Sequence, residues 1–251
     1  MMTQGNCSGL VANARNRNEA YGWASCMLLV PAIGTDGSTT IPDVSASAHT
    51  LTCYGNAQIT ANRMAFDGSG DYILSADSAD WDLGSGDFFI ECWARLDTLP
   101  GSGSTQPIVG QWSNNTATTY GNKRGWLCDI LNSSGTYKLQ FEWSTNGNNN
   151  FTVNGNMPAG FKAGREMHIA WGRSGGFWRG WVNGSQVYGS ATTATINNSA
   201  RPLTIGAYDN SGSTETWIGS LNGRIRQLRI FKGLNPYPGE FFVPRLPFYQ
   251  G

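Results

Sequence analysis

The feature of this chain that most constrains its fold is the spacing of its tight-turn signals. Asp or Asn stands directly before Gly at Asp67-Gly68, Asn183-Gly184 and Asn222-Gly223, and such pairs favour tight turns in which the backbone adopts positive φ. Short apolar or alternating runs lie between these and similar clusters, at intervals of roughly 10 to 15 residues. No helical periodicity extends over three turns. The pattern predicts an all-β protein of about twelve strands, which is the size of a two-sheet sandwich. One of these strands is expected to cover the whole of 49–59, and none is expected over 185–191.

Two of the runs indicate how the strands face the core. In 88–95, which reads Phe-Phe-Ile-Glu-Cys-Trp-Ala-Arg, alternate positions fall on opposite faces. The set expected to face the core is Phe88, Ile90, Cys92 and Ala94. The run 221–231 changes phase near its middle, which predicts a bulge or a two-sided strand. The only helical segment expected is one turn within 76–82, capped by Asp77 or Ser78.

Composition excludes several classes of protein. The 251 residues include 17 basic and 17 acidic side chains, so the formal net charge is zero. Without a basic excess, no nucleic-acid partner is predicted. An aromatic content of 12% argues against intrinsic disorder. No apolar stretch reaches the roughly 18 residues of a membrane-spanning helix, and the amino terminus does not resemble a secretory signal peptide, so no membrane contact is predicted.

The cysteines predict neither a disulfide framework nor a zinc site. Their number is odd and their spacing is wide. We expect most of them to be reduced and buried as small hydrophobic residues, in a protein that folds in a reducing compartment. They are Cys7, Cys26, Cys53, Cys92 and Cys128.

Several runs, taken in order, resemble one known family. The pieces are Met-Ala-Phe-Asp-Gly-Ser-Gly-Asp-Tyr-Ile (64–73), Gly-Asp-Phe-Phe-Ile-Glu-Cys-Trp (86–93), Trp-Val-Asn-Gly (181–184), Leu-Thr-Ile-Gly-Ala (203–207) and Gly-Arg-Ile-Arg-Gln-Leu-Arg-Ile-Phe-Lys-Gly (223–233). Each piece is short, but their order across residues 24 to 244 resembles the concanavalin A-like, laminin-G-like jelly-roll family. A fold shared by many functions implies much less about activity than about architecture.

The resemblance implies an all-β, two-sheet antiparallel jelly-roll sandwich with an N-terminal arm. Residues 23–251 are expected to form the laminin-G-like domain, and residues 1–22 to form the arm. The arm has two open interpretations: a flexible tail, or a segment that becomes ordered on a neighbouring subunit. The ending, 237–244, is similar to that of phage-encoded members of the family.

One departure from the family pattern concerns calcium. Family members usually carry an Asp on the closing strand that helps to hold a structural calcium, and Arg226 stands at that position here. A guanidinium cannot ligate a cation, so no metal and no cofactor are predicted. We expect Arg226 to pair instead with a nearby carboxylate such as Asp67 or Asp71.

Catalysis is not predicted. Glycoside hydrolases with related folds need two carboxylates that flank the sugar bond, and their Glu-x-Asp-x-x-Glu signature does not occur here. The sequence separates Glu91, Glu142 and Glu166 widely from one another. There are only two histidines, and no Gly-x-Ser-x-Gly motif accompanies them.

Aromatic residues and polar loops supply the candidate binding residues. Phe177 and Trp178 are adjacent in a strand and must therefore point to opposite faces, so one of them lies off the main core. Loops 113–123 and 145–150 are polar, and such loops are where sandwich proteins bind ligands. The candidate binding residues are Phe177, Trp178, Arg179, Trp112, Asn148 and Asn149.

These observations favour a non-enzymatic binding protein. The phage-like ending, the missing signal peptide, the excess of Arg over Lys and a chain little longer than one domain predict a virion component of a tailed phage, assembled in the host cytoplasm. It would be a capsid decoration protein or a tail or fibre appendage. Its expected partners are other virion proteins, further copies of itself in a homo-oligomer, and host surface polysaccharide. The alternatives are a carbohydrate-binding lectin or adhesin and, less favoured, a glycan hydrolase.

Overall fold

The fold is an antiparallel β-sandwich, as predicted. A computed structural model of the chain describes residues 23–114, 123–209, 217–218 and 221–243. The expected arm, Cys7 and most of loop 113–123 lie outside these ranges. The described strands form an eight-stranded sheet, a seven-stranded sheet and a short two-stranded ribbon.

The eight-stranded sheet forms one layer of the sandwich. Its members in chain order are β1 (Cys26–Val30), β3 (Gln58–Ile59), β4 (Met64–Asp67), β6 (Phe88–Leu96), β11 (Glu166–Ser174), β12 (Phe177–Val182), β13 (Ser185–Ala191) and β17 (Asn222–Lys232). Across the sheet the order is β13-β12-β11-β6-β17-β4-β3, and β1 also pairs with β17. The long strands β6, β11 and β17 therefore occupy the middle.

The seven-stranded sheet forms the other layer. Its members are β2 (Thr52–Tyr54), β5 (Tyr72–Ser75), β7 (Thr105–Trp112), β8 (Arg124–Ser133), β9 (Thr136–Trp143), β10 (Phe151–Asn156) and β14 (Leu203–Ile205). Their order across the sheet is β10-β9-β8-β7-β14-β5-β2. The ribbon pairs β15 (Tyr208–Asp209) with β16 (Trp217–Ile218).

Helical structure in the described residues is limited to two 3-10 turns, Trp23–Ser25 and Ala79–Trp81. The second lies within the predicted turn. The hydroxyl of Ser78 accepts a hydrogen bond from the amide of Asp80 and caps it. Neither turn is long enough to cross a membrane.

The main core lies between the two sheets, and a smaller cluster lies on the outer face of the eight-stranded sheet. Strand β6 contributes to both. Phe88, Ile90, Cys92 and Ala94 enter the main core as predicted, whereas Phe89 points the other way and packs with Trp181 and Phe231 in the smaller cluster. Tyr237 and Phe241 cover this smaller cluster.

The predicted bulge is present in the closing strand. The register between β17 and β6 shifts between Arg226 and Arg229, and Gln227 adopts a φ of 53°. The extra residue lets β17 pair with β4 before the bulge and with β1 after it.

One strand prediction was wrong, and one longer strand was missed. The run 49–59 was expected to form one strand, but it contains β2 and β3, which belong to different sheets. Strand β13 was not predicted, because its Gly and Ser residues carry little hydrophobic signal.

The edge strands β10 and β13 lie against each other where the two sheets meet. The contact is close at Gly155, where a Cβ atom would lie 2.1 Å from the carbonyl oxygen of Val187. Only glycine allows this approach.

The four described cysteines form no disulfide with one another. Cys26, Cys92 and Cys128 are buried, and Cys53 is partly exposed. Burial raises the pKa of Cys26 to about 12 and that of Cys53 to about 11. These thiols are therefore poor nucleophiles.

Candidate functional site

A groove opens on the outer face of the seven-stranded sheet, along its β2–β5 edge. Its volume is about 490 Å³, within the range of small-ligand sites. Leu74 on β5 lies opposite Thr52 on β2 in the β2–β5 pair, and both residues line the groove. The full lining is His49, Thr50, Thr52, Tyr54, Leu74, Ser75, Ala76, Asp77, Ser78 and Pro202.

An aromatic platform stands at one end of the groove. Tyr54 lies opposite Tyr72 in the β2–β5 register, and their rings stack with centroids 4.7 Å apart and planes 11° from parallel. Cys53 and Ile73 alternate with them and point inward, so both Tyr rings lie on the outer face. Tyr54 is 41% exposed. The groove therefore presents an aromatic ring that is held in place by a second ring.

The other end of the groove is polar and rigid. Asp77 accepts a hydrogen bond through Oδ1 from Nε2 of Gln111 (3.0 Å), and Gln111 is itself buried. The Nε2 atom of His49 lies 2.9 Å from Oδ2 of Asp80. The His49 ring packs against the Trp81 ring, with 4.3 Å between the two ring centroids. Trp81 is fully buried and anchors the turn. Hydroxyl, carboxylate and imidazole groups are thus held at the end of the groove opposite the aromatic platform.

The structure separates the predicted binding residues on β12. Phe177 is 45% exposed, whereas Trp178 is 2% exposed and belongs to the main core. Arg179 lies over the Phe177 ring at 5.2 Å from its centroid. Trp178 has no free ring face, so the expectation that it contacts a ligand is corrected. Phe177 remains exposed, and Arg179 beside it is half-buried.

The predicted residues near the loops serve mainly to hold the loops. Trp112 is 2% exposed, and its Nε1 donates to Asn114 (3.0 Å), so it too lacks a free face. Asn149 accepts hydrogen bonds from the hydroxyl of Ser144 (2.6 Å) and the amide of Thr145 (2.9 Å). Asn148 is exposed. Neither loop residue lines the groove at β2–β5.

Sequence reasoning did not identify Tyr54 as a site residue. The cause was the prediction of a single strand over 49–59. That prediction left out the turn after Tyr54 and the alternation of Tyr54 with Cys53. The Tyr-Gly-Asn sequence at 54–56 was the available signal, because a Gly-Asn pair favours a turn. Splitting the run there would have placed the aromatic ring at a sheet edge.

A pair of carboxylates on the same sheet was also missed. Asp129 on β8 is fully buried beside Gln140 and Glu142 on β9. Burial is the main cause that raises the pKa of Asp129 well above its usual value, and the negative charge of Glu142 raises it further. Glu142 accepts hydrogen bonds from Asn150 (2.7 Å) and Gln140 (3.2 Å). Neither oxygen of Asp129 accepts a hydrogen bond of normal geometry from a described residue. The arrangement places the Asp129 carboxyl, whose pKa is raised, beside the Glu142 carboxyl.

A second, larger cavity of about 690 Å³ lies at the β3–β4–β17 side of the other sheet. Its carboxylates are already engaged. Asp71 accepts hydrogen bonds from the amides of Asn56 and Asp67, and Asp97 forms ion pairs with Arg95 (2.7 Å) and Arg224 (3.7 Å). No exposed aromatic ring lines it. These groups stabilise the fold and leave less for a ligand than the β2–β5 groove does.

The residues around Arg226 do not fit the calcium that the family implies. The Arg226 guanidinium makes two hydrogen bonds to the Glu166 carboxylate, at 3.1 and 2.7 Å, and it lies 5.0 Å from the Trp93 ring. The expected pairing with Asp67 or Asp71 was wrong, because both belong to the turn at the far end of β4. Burial opposes the charge of Glu166, but hydrogen bonds from Arg226 and Arg63 outweigh it and lower the pKa. Within the described ranges, no three His, Cys, Asp or Glu side chains converge as metal ligands.

Comparison with known proteins identifies the family. A family model described as the concanavalin A-like lectin/glucanases superfamily matches residues 67–234, about two thirds of the chain. The protein belongs to this superfamily, as the resemblance implied. No curated protein sequence matches the chain.

Solved structures with the same fold include the binding domains of several toxins. The binding domain of botulinum neurotoxin DC in complex with SialylT superposes with a TM-score of 0.61 at 18% identity, over 84% of this chain and 49% of that one. A botulinum neurotoxin type C structure, described by the dependence of that toxin's cell entry on two ganglioside molecules, has a TM-score of 0.62 at 16% identity, over 90% of this chain and 50% of that one. The binding domain of Paraclostridial Mosquitocidal Protein 1 has a TM-score of 0.60 at 15% identity, over 85% of this chain and 50% of that one. This chain thus spans about half the length of these neighbours, and identities this low establish the fold alone.

Proposed function

We propose that this protein is a glycan-binding module and that the β2–β5 groove is its binding site. The Tyr54 ring carries the proposal, because it is exposed, backed by Tyr72, and shares its groove with hydroxyl and carboxylate groups. Sugar-binding sites need an apolar platform for the face of the ring and a few fixed polar groups for its hydroxyls. The solved neighbours described with SialylT and with gangliosides support glycan binding by this fold.

We also propose that the module binds without catalysis. Glycoside hydrolysis needs two carboxylates that reach the scissile bond from solvent. Asp129 and Glu142 are adjacent, but both are buried. Among the described residues that line the groove, Asp77 is the single carboxylate, so no pair of carboxylates flanks a sugar bound there.

The test is a binding titration of the full chain against a panel of oligosaccharides. The Tyr54→Ala variant should lose about tenfold in affinity or more, which corresponds to ~1.4 kcal/mol, whereas Tyr54→Phe should retain most of the binding because it keeps the ring.

Phe177→Ala is the matched control, since Phe177 is as exposed as Tyr54 but lies on the other sheet. If Phe177→Ala abolished binding and Tyr54→Ala did not, the site would be the predicted Phe177–Arg179 pair. Equal binding by all variants would remove both sites from consideration.

For the biological setting, we propose a virion component of a tailed phage, as a capsid decoration protein or a tail or fibre appendage. The similarity of 237–244 to phage-encoded members and the ratio of 4 Lys to 13 Arg support this setting. Virion neighbours, a homo-oligomer and host surface polysaccharide are the corresponding partners. The experiment is a mass-spectrometric inventory of purified virions. A fixed copy number per particle supports the proposal, and a secreted protein absent from particles contradicts it.

A further inference from the structure

The polar end of the groove carries charge of one sign. Asp77 lines the groove and is exposed. Its Oδ1 atom is occupied by Gln111, and Gln111 is held in turn by the carbonyl oxygen of Arg201 at 2.7 Å. No described residue donates to Oδ2 of Asp77. The groove therefore contains a fixed carboxylate oxygen that is free to accept a hydrogen bond from a ligand.

No cation within the lining balances this carboxylate. Among the described residues that line the groove, His49 is the single side chain able to carry positive charge, and its Nε2 is paired with Asp80. Asp80 also accepts a hydrogen bond from the hydroxyl of Ser47 (2.7 Å). Lys232 donates to the carbonyl oxygen of Ala79 (2.5 Å) and does not line the groove.

We propose that the groove selects neutral or amino-bearing glycans and rejects sialylated and other acidic glycans, with Asp77 as the selecting residue. This inference rests on the proposed glycan-binding function. A carboxylate accepts hydrogen bonds from sugar hydroxyls and attracts an ammonium group. It repels the carboxylate of a sialic acid, and like charges placed together in a binding site suppress the wrong partner.

The selectivity would distinguish this protein from one of its structural neighbours. That neurotoxin binding domain is described in complex with SialylT, whereas the lining here supplies no free cation for an acidic sugar. The same fold would thus present opposite charge preferences in different members.

The test uses neutral oligosaccharides, each paired with its sialylated form, together with glucosamine oligomers. Affinities are measured for the full chain at about 50 mM and 1 M NaCl, because exposed charges interact across roughly 10 Å at 0.1 M salt and across 3 Å at 1 M. The wild type should bind each neutral sugar at least threefold more tightly than its sialylated form at low salt. The ratio of the affinity for the neutral sugar to that for its sialylated form should fall towards one at 1 M NaCl.

The Asp77→Asn variant keeps an acceptor for Gln111 and removes the charge. It should reduce the preference for neutral over sialylated sugars at low salt, and it should weaken the binding of glucosamine oligomers. Asp36→Asn is the matched control, since Asp36 is also exposed and also has one oxygen engaged, by the amide of Ala61 (2.7 Å). This control should leave the preference unchanged.

The outcomes separate the two proposals. Equal or tighter binding of sialylated sugars, lost in Tyr54→Ala, would confirm the groove as a glycan site and overturn its selectivity. A preference that persisted in Asp77→Asn and at 1 M NaCl would be steric, which also overturns the inference. Failure of every sugar to bind would overturn the proposed function, and the selectivity with it.

Discussion

Tyr54 and Phe177 expose similar fractions of their side chains, but their surroundings differ. Phe177 stands beside the Arg179 guanidinium, on a strand next to the sheet edge. Tyr54 lies on a second aromatic ring and opens onto a groove with fixed acceptors. Because ligand sites combine apolar area with a few preorganised polar groups, the surroundings rather than the exposure distinguish the two residues.

Asp129 is a fully buried acid of the seven-stranded sheet, and neither of its oxygens accepts a hydrogen bond of normal geometry from a described residue. Its burial and its proximity to Glu142 raise its pKa. The folded state therefore holds a proton that the unfolded chain releases near pH 4. The stability associated with this proton is fully present below that pH, and it is lost as the pH rises towards the folded-state pKa.

Replacing Asp129 with Asn should consequently stabilise the protein, and increasingly so as the pH rises. An amide of the same shape can donate to Glu142 and carries no charge to desolvate. We expect the melting temperature of Asp129→Asn to exceed that of the wild type by at least about 2 °C at pH 8, equivalent to ~1 kcal/mol for a chain of this size. The difference should become small at pH 4. Thermal unfolding followed by circular dichroism measures it, and a variant destabilised equally at both pH values would contradict this account.

At the scale of elements, the sandwich is closed on one side by contact between two edge strands. Exposed edges invite pairing with other chains. Strands β10 and β13 cover each other, with Gly155 and Val187 in close contact. The edge at β2 is short and borders the groove, so its residues remain available to a ligand.

The Gly155→Ala variant should separate these two edges. The added methyl group would meet the carbonyl oxygen of Val187 at 2.1 Å, and backbone atoms would have to shift, which typically costs ~1–3 kcal/mol. Gly101→Ala is the control, because its Cβ would meet nothing closer than 4.0 Å. Urea unfolding should show a loss of stability for the first variant only. Equal stabilities would show that the β10–β13 contact is loose.

At the scale of the whole molecule, turn chemistry and alternation were sufficient to predict the sandwich. The Phe88 face of β6 and the bulge at Gln227 both followed from residue periodicity along a single strand. The site was harder to predict from the sequence, because it depends on which strands become neighbours. Asp77 and Tyr54 are 23 positions apart in sequence, and Asp129 and Glu142 come together only through the β8–β9 register.

The position of Arg226 illustrates the same limit. Its inability to ligate a cation follows from its side-chain chemistry alone. The identity of its partner does not follow from that chemistry. Glu166 on β11 reaches Arg226 on β17 because the sheet order places only β6 between these two strands. Long-range pairing of this kind is not encoded in local sequence patterns.

The central prediction for the whole molecule is that the sandwich binds a glycan in the β2–β5 groove, on the outer face of the seven-stranded sheet. A crystal structure of the full chain with a neutral oligosaccharide at saturating concentration tests it most directly. We predict a sugar ring stacked on Tyr54, with a hydroxyl or amino group hydrogen-bonded to Asp77. A sugar located at Phe177 or at loop 145–150, or an empty groove under those conditions, would contradict the claim.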